Sequence, residues 1–466
     1  SWTNGLSWGA SNAYESYYLA RPYLKAIQEG KYTTRELDEK VRRVLRLFYR
    51  TTMNRHRPHG FLCSDGHYAT ARQIAEEGIV LLQNRNRVLP INTQKVRHVL
   101  VVGENAIKMM TVGGGSSSLK VQREISPLQG LQARLAKDGV EVDFARGYVG
   151  DVTGAYNGVT TGQNLEDKRS EAELIAEAVE KAKAADCVIL FGGLNKSDYQ
   201  DCEGHDRQQY ELPYAQDKLI TALAAANKNF VYVNISGNAV AMPWRDKVPA
   251  IVQGWYLGSE AGEALAAVLT GDANPSGKLP FTWVKSLQDV GAHALNTYPG
   301  TWRKEGGSKT EGNIIDEEYK EGIYVGYRWA DREKQRPVFA FGHGLSYTQF
   351  AISNLRADKA SMTAADSITF TVQVKNIGQR AGSETVQLYV HDAKASVDRP
   401  LKELKGFCKV SLQPGESKDV SITLGKDALS FYDETTASWK AEPGLFEAWV
   451  GNASDNLKLR KSFQLK

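Results

Sequence analysis

Asp186-Cys187-Val188-Ile189-Leu190-Phe191-Gly192-Gly193 is the stretch on which the fold turns. The apolar run reads as a core strand, and the two glycines end it. A polar loop then runs to Asp201-Cys202-Glu203-Gly204-His205-Asp206-Arg207, and Glu211-Leu212-Pro213 leads into an alanine-rich helix over 213–226. In open α/β sheets ligands bind beyond the carboxyl ends of strands. A carboxylate in this loop is therefore a candidate for chemistry.

Outward from this strand, apolar strands and amphipathic helices alternate. Strands are expected at 99–102 (VLVV), 140–144, 187–191, 230–235 and 251–256, and helices at 128–136, 171–184, 213–226 and 260–269. That order predicts an α/β sandwich domain over 91–285 with a mostly parallel sheet and helices on both sides. Residues 157–167 read as a surface loop. Before it, 56–90 reads as a linker and a lead-in helix, ATARQIAEEGIVLL. Residues 1–55 give a helix at 23–29, a capping box Thr33-Thr34-Arg35-Glu36, and a helix whose Leu37, Val41, Val44, Leu45 and Phe48 form one apolar stripe. After it, 286–350 is a turn-rich connecting segment whose aromatic stretches YVGYRW and FAFGHG are expected to pack on the sheet domain. From 351 to 466 the period becomes two, as in Ile368, Phe370, Val372 and Val374, which predicts an all-β antiparallel sandwich.

A chain of 466 residues with 42% apolar and 24% charged residues supports about three globular domains. The 58 basic and 54 acidic residues leave a net charge of +4, too little to draw nucleic acid or an anionic membrane, so a neutral ligand fits better. Cys63, Cys187, Cys202 and Cys408 form no CxxC pair, which argues against zinc and a disulfide scaffold. No apolar run is long enough to span a membrane. Neither a metal nor a cofactor is expected, and oligomeric state is left open. The chain opens at Ser1-Trp2-Thr3 without an initiator Met, which reads as a cloned or processed piece of something longer.

Two constellations can carry chemistry. Gly113-Gly114-Gly115-Ser116-Ser117-Ser118 follows the first buried strand, where glycine lets a ligand approach the backbone and serine can hydrogen-bond it. A surface loop, a sugar-contacting loop and a nucleotide site are the readings; the last is disfavoured because Glu104–Val112 separate the glycines from the strand. Glu203 can act as a general acid if its carboxyl is kept protonated, with His205, Asp206 and Arg207 orienting it; the competing reading is a solvated charge run. Cys202 has no paired base and reads as a structural thiol, His343 as a histidine fixing a tight turn. Trp255, Tyr256, Tyr324, Tyr327 and Trp329 read as core or as a carbohydrate-stacking wall.

In order along the chain, LDEKVRRVLRLFYRT, GGGSSSLKV with ISPLQGL, EGHDR with ELP, WYLGSEAGEALAAVLTGDANPSGKLPFTW, and EGIYVGYRWAD with FAFGHGLSYTQF resemble glycoside hydrolase family 3, the β-glucosidase and β-xylosidase family. The resemblance covers the carboxyl-terminal two-thirds of the family layout: a (β/α)8 barrel, an α/β sandwich domain, and a fibronectin type III-like sandwich. It implies that Glu203 is the general acid/base, that Ser116 or Ser117 contacts the sugar, and that 1–55 are the terminal helices of a truncated barrel. The barrel's nucleophilic aspartate has no counterpart here. Retaining glycosidases need two carboxyls roughly 5 Å apart.

The resemblance thus implies the carboxyl-terminal part of a retaining exo-β-glycosidase, most simply a β-glucosidase, inactive as this chain alone. Its partners would be a β-linked glucoside or oligosaccharide and the missing amino-terminal barrel, and its location periplasmic or secreted. The alternatives are a carbohydrate-binding or scaffolding module without catalysis and a nucleotide-using α/β enzyme.

Overall fold

The computed structural model of the protein describes residues 20–111, 119–150, 162–197, 199–203, 206–303 and 315–466. They fall into two compact units, Ser1–Ser64 and Asp65–Lys466. In the first, helices span Arg21–Gln28 and Arg35–Arg50. Pro22 opens the former, where its missing N–H costs nothing. The expected capping box is not formed: Thr34 is the N-cap, and Thr33 Oγ1 donates instead to Glu36 Oε2 at 2.7 Å. No residue of Arg35–Arg50 is buried, and Leu37, Val41, Val44, Leu45 and Phe48 stay 38–53% exposed.

The second unit is built on a six-stranded sheet of β1 (Val80–Asn84), β2 (His98–Val102), β3 (Glu141–Ala145), β4 (Cys187–Gly193), β5 (Phe230–Ile235) and β6 (Ala250–Gln253). Its order is β1-β6-β5-β4-β2-β3, with β2 to β6 parallel and β1 antiparallel to β6. From β2 the chain steps outward to β3, then crosses back to β4 on the other side, so the order reverses between β2 and β4. That is where open α/β sheets form their binding crevice.

The central strands are buried on both faces, and their alternate residues divide between two cores. Leu100, Val188, Leu190, Tyr232 and Ile251 meet Ala178, Leu219, Leu223, Trp244 and Trp283 on one side. Val99, Val101, Ile189, Phe191, Val231 and Val252 meet Leu131, Leu135, Leu265 and Leu269 on the other. Each such side chain contributes about 1.5–3 kcal/mol. The helices Glu171–Ala184 and Gln216–Ala226 cover the first face, and Asp65–Gly78, Pro127–Leu135 and Ala261–Thr270 the second. Ser126 and Ser170 cap two of these with complete capping boxes.

Two expectations about the sheet strands are corrected as well. The lead-in helix does not run through Val80–Leu82: it ends at Gly78, and these residues form the antiparallel edge strand β1 against β6. An apolar run of that length suits either a buried helix turn or a strand, and the free edge of β6 decides. Gly192 and Gly193 do not break β4 but complete it, paired with Asn234 and Ile235.

Residues 286–350 add a short pair β7 (Thr301–Trp302) and β8 (Ile315–Asp316) and a helix Tyr327–Arg332. Phe339 packs on the sheet core, as expected of FAFGHG. YVGYRW packs instead on the sandwich: Tyr327 meets Tyr389 edge-on at 5.7 Å and its hydroxyl accepts from Leu404 N at 2.9 Å, while Tyr324 OH donates to Asp398 at 2.7 Å. The sandwich sets the sheet β14-β11-β9 against β10-β18-β17-β12-β13, where β9 is Phe350–Ala357, β10 Ser361–Met362, β11 Ser367–Asn376, β12 Gly382–Asp392, β13 Glu403–Leu412, β14 Ser417–Gly425, β17 Gly444–Gly451 and β18 Leu459–Leu465, while β15 (Phe431–Asp433) and β16 (Ser438–Lys440) form a separate pair. Ile368, Phe370, Val372 and Val374 of β11 point inward with Val386, Leu388 and Val390 of β12. In β12 the opposite face is also buried, because the connecting segment lies on Gln387 and Tyr389.

Candidate active site

The loop after β4 is placed by side chains that finish the strand. Gln216 is fully buried; its Oε1 accepts from Gly193 N and its Nε2 donates to Gly193 O, both at 2.8 Å. Gly193 has φ +110°, and a Cβ there would stand 2.2 Å from Ile235 O, so only glycine permits β4 and β5 to close at this end. The chain then turns on itself. Asn195 N donates to Gln200 Oε1 at 2.9 Å, Ser197 N to Asn195 Oδ1 at 2.9 Å, and Asp201 N to Asn195 O at 3.0 Å.

Asp201 fastens this turn to the neighbouring loops. Its Oδ2 accepts from Gly237 N at 2.7 Å and Tyr256 OH at 2.9 Å, and its Oδ1 from Asn238 Nδ2 at 2.9 Å. Gly237 and Asn238 follow β5, and Tyr256 follows β6. Burial pushes the Tyr256 phenol far above its ordinary value, which keeps it a neutral donor. Half-buried Cys202 and exposed Glu203 follow. Beyond them Asp206 accepts from Tyr298 OH, which pushes that phenol up to about 12, and Arg207 Nη2 donates to Ala239 O at 2.7 Å. Glu203 thus sits between an anchor two residues before it and a pair of anchors three and four residues after it.

The glycine-serine loop, with Ser116 and Ser117, lies outside the described residues, as does His205. Its approach is held at the carboxyl end of β2. Met110 N and Thr111 N donate to Glu124 Oε1 at 2.6 and 3.0 Å, and Met109 N to Gln163 Oε1 at 2.8 Å. Lys196 lies 4.9 Å over the Tyr256 ring; burial lowers its pKa, and the charges of Glu124 and Asp201 oppose that shift. The approach to the glycine-serine loop thus leaves the end of β2, whereas the Glu203 loop leaves β4 and is anchored on the loops that follow β5 and β6. Glu104, fully buried just past β2, accepts from Arg146 Nη2 at 2.7 Å, Lys108 Nζ at 3.2 Å and Gly150 N at 2.5 Å. Among the described residues no group of three His, Cys, Asp or Glu side chains is placed to hold a metal ion.

The remaining candidates are structural. His343 Nε2 lies 2.8 Å from Leu82 O, so it carries the proton, and its ring stacks on Phe339 at 5.2 Å. The aromatic wall is not assembled: Tyr256 serves Asp201, Trp255 donates to Gly78 O at 2.9 Å, and Tyr324, Tyr327 and Trp329 belong to the connecting segment. The anchors Glu124, Gln216, Asn238 and Tyr298 escape sequence reasoning. The visible signal for Gln216 is an amide opening an apolar helix directly after the loop.

The sequence pattern of the glycosyl hydrolase family 3 C-terminal domain matches residues 79–327. The chain belongs to glycoside hydrolase family 3. In this family 3 chain a fibronectin type III-like domain matches residues 384–454, within the sandwich. A β-glucosidase of Bacteroides ovatus is 46% identical over 100% of this chain and 60% of its own length. An exo-α-(1→6)-L-arabinopyranosidase of Bifidobacterium breve is 33% identical over 93% of this chain and 53% of its own. The solved family 3 β-glucosidase of Bifidobacterium adolescentis superposes with a TM-score of 0.81 at 32% identity, covering 96% of this chain and 60% of that one. The chain therefore spans about 60% or less of these relatives.

Proposed function

We propose that this chain is the carboxyl-terminal part of a retaining exo-β-glycosidase acting on β-linked glucosides or oligosaccharides. Glu203 is its general acid/base, and Ser116 or Ser117 contacts the sugar beside the cleaved bond. The nucleophilic aspartate belongs to a barrel that the family layout places ahead of this segment. In the first step Glu203 protonates the departing glycosidic oxygen while the aspartate takes the anomeric carbon; in the second it removes a proton from the water that frees the sugar. Alone, the chain lacks the acceptor for the first step and hydrolyses nothing.

The observation that carries this reading is that Glu203 follows the carboxyl end of β4 in a loop anchored before and after it to the loop that follows β5. A solvated charge run needs no such anchoring. The relatives share the family but differ in the sugar they are named for, so β-glucoside is the substrate class favoured by the more similar of these two relatives rather than by this geometry. The test is turnover of an aryl β-glucoside by this chain alone and by the chain joined to a family barrel. The reading predicts no rate in the first case and a rate that depends on Glu203 in the second. Robust hydrolysis by the chain alone, abolished in Glu203→Ala, would overturn the division of labour.

A further inference from the structure

A ladder of hydrogen bonds, buried at its foot and open to solvent at its top, rises from the sheet to the loop that carries Glu203. At its foot Tyr232 OH donates to Asn234 Oδ1 at 3.0 Å, and Asn234 Nδ2 donates to Ser236 Oγ and to Gln253 Oε1, both at 2.7 Å. Gln253 Nε2 donates to Ser236 O at 2.8 Å, and Ser236 Oγ to Asn238 O at 2.7 Å. Asn238 Nδ2 reaches Asp201 Oδ1 at 2.9 Å, while Asp201 Oδ2 holds Gly237 N and Tyr256 OH.

Tyr232, Asn234 and Gln253 in β5 and β6, and Ser236 just past β5, are all 0% exposed, among largely aliphatic strand neighbours. Each such group is costly if left unpaired, and even a fully paired polar cluster rarely stabilises more than apolar residues of the same volume. Stability alone therefore does not account for them. What a satisfied network supplies is a unique geometry. It fixes the turn Gly237–Asn238, and this turn presents two of the three donors that grip Asp201. Glu203 is two residues further on.

We propose that Asp201, seated on this ladder, is the positioning residue for Glu203, setting the height and direction of its carboxyl over the crevice. This rests on the reading of Glu203 as the general acid/base. A displacement of about 1 Å at a reacting group costs up to about 100-fold in rate, so the ladder and its carboxylate hold a substantial part of the catalytic effect without touching substrate.

The experiment has two arms. In this chain, amide hydrogen exchange of Asp201→Asn and Asn238→Ala is compared with the parent. The expected result is faster exchange at Gly237 and at 199–203, with β4 and β5 unchanged. In the barrel-joined enzyme, Asp201→Asn lowers kcat by about 10- to 100-fold with KM nearly unmoved, and the loss is largest for poor leaving groups. In a Glu203→Gln background the same change costs nothing more, because a positioning residue acts only through the group it positions. Multiplying losses, or full rates despite a loosened loop, would overturn the positioning role alone. A Glu203→Gln variant with full activity would overturn the acid/base reading itself and the proposal with it. Asn238→Ala, which leaves the carboxylate in place, guards against a misfolded Asp201 variant.

Discussion

Replacing Glu104 by alanine is expected to destabilise the sheet unit by about 3–5 kcal/mol, the usual cost of removing one partner from a buried charge pair. The carboxylate is fully buried, with Arg146 and Lys108 beside it at 8% and 10% side-chain exposure. Its removal leaves two cations in a poorly solvated place and takes from Gly150 N its acceptor. Arg146 keeps Tyr148 O at 3.2 Å and Leu165 O at 2.8 Å as acceptors, which holds the loss toward the lower end. At about 2–4 °C per kcal/mol for a domain of this size, the transition should fall by roughly 6–20 °C in calorimetry. Glu104→Gln keeps an acceptor for Gly150 N but no charge, and should fall between the two. A loss below about 1 kcal/mol in the alanine variant would show that both cations regain water, and would refute the reasoning.

Three further outcomes follow from the packing. Gly262→Ala should cost about 1–3 kcal/mol or more by denaturant titration, because its Cβ would meet Ser126 O at 2.1 Å and Ile125 O at 2.7 Å, both backbone atoms; a neutral result would mean that the two helices separate freely. Ser170→Ala removes a complete capping box and should cost about 1 kcal/mol in the same titration. Burial holds His343 below its ordinary value of 6.5, so the unfolded chain binds more protons once the pH falls through 6.5. Stability from this site is therefore full above that pH and drains as pH falls toward the folded value. His343→Gln, which can still donate to Leu82 O, should flatten the dependence of Tm on pH in this window, and an unchanged slope would show that other groups set it.

The fold was legible wherever burial imposes a period. The run Cys187–Phe191 announces a strand covered on both faces, and Ile368 to Val374 announces a sandwich strand, since each pattern admits one packing. Val80–Leu82 was not legible, because three apolar residues continue a helix as well as they start a strand, and only the unpaired edge of β6 selects between them. At the site, Glu203 stands out through the order of motifs around it, whereas its local residues alone resemble any charged loop. The anchors of that loop come from elsewhere in the chain. Asp201 pairs with residues 36, 37 and 55 positions away, and Asp206 with one 92 away. Nothing in their own neighbourhoods marks such partners. Asn234 and Gln253 did leave a trace, as amides interrupting strands of aliphatic residues, but an interruption does not say what it supports.

The central claim is that Glu203 gives and takes the proton. It is tested most directly by kcat/KM of Glu203→Ala in the barrel-joined enzyme over a series of aryl β-glucosides of graded leaving-group acidity. The account predicts a loss of about 10²–10⁴ for the poorest leaving groups, shrinking as the departing phenol becomes able to leave without a proton. A loss of the same size for every substrate, or none at all, would contradict it.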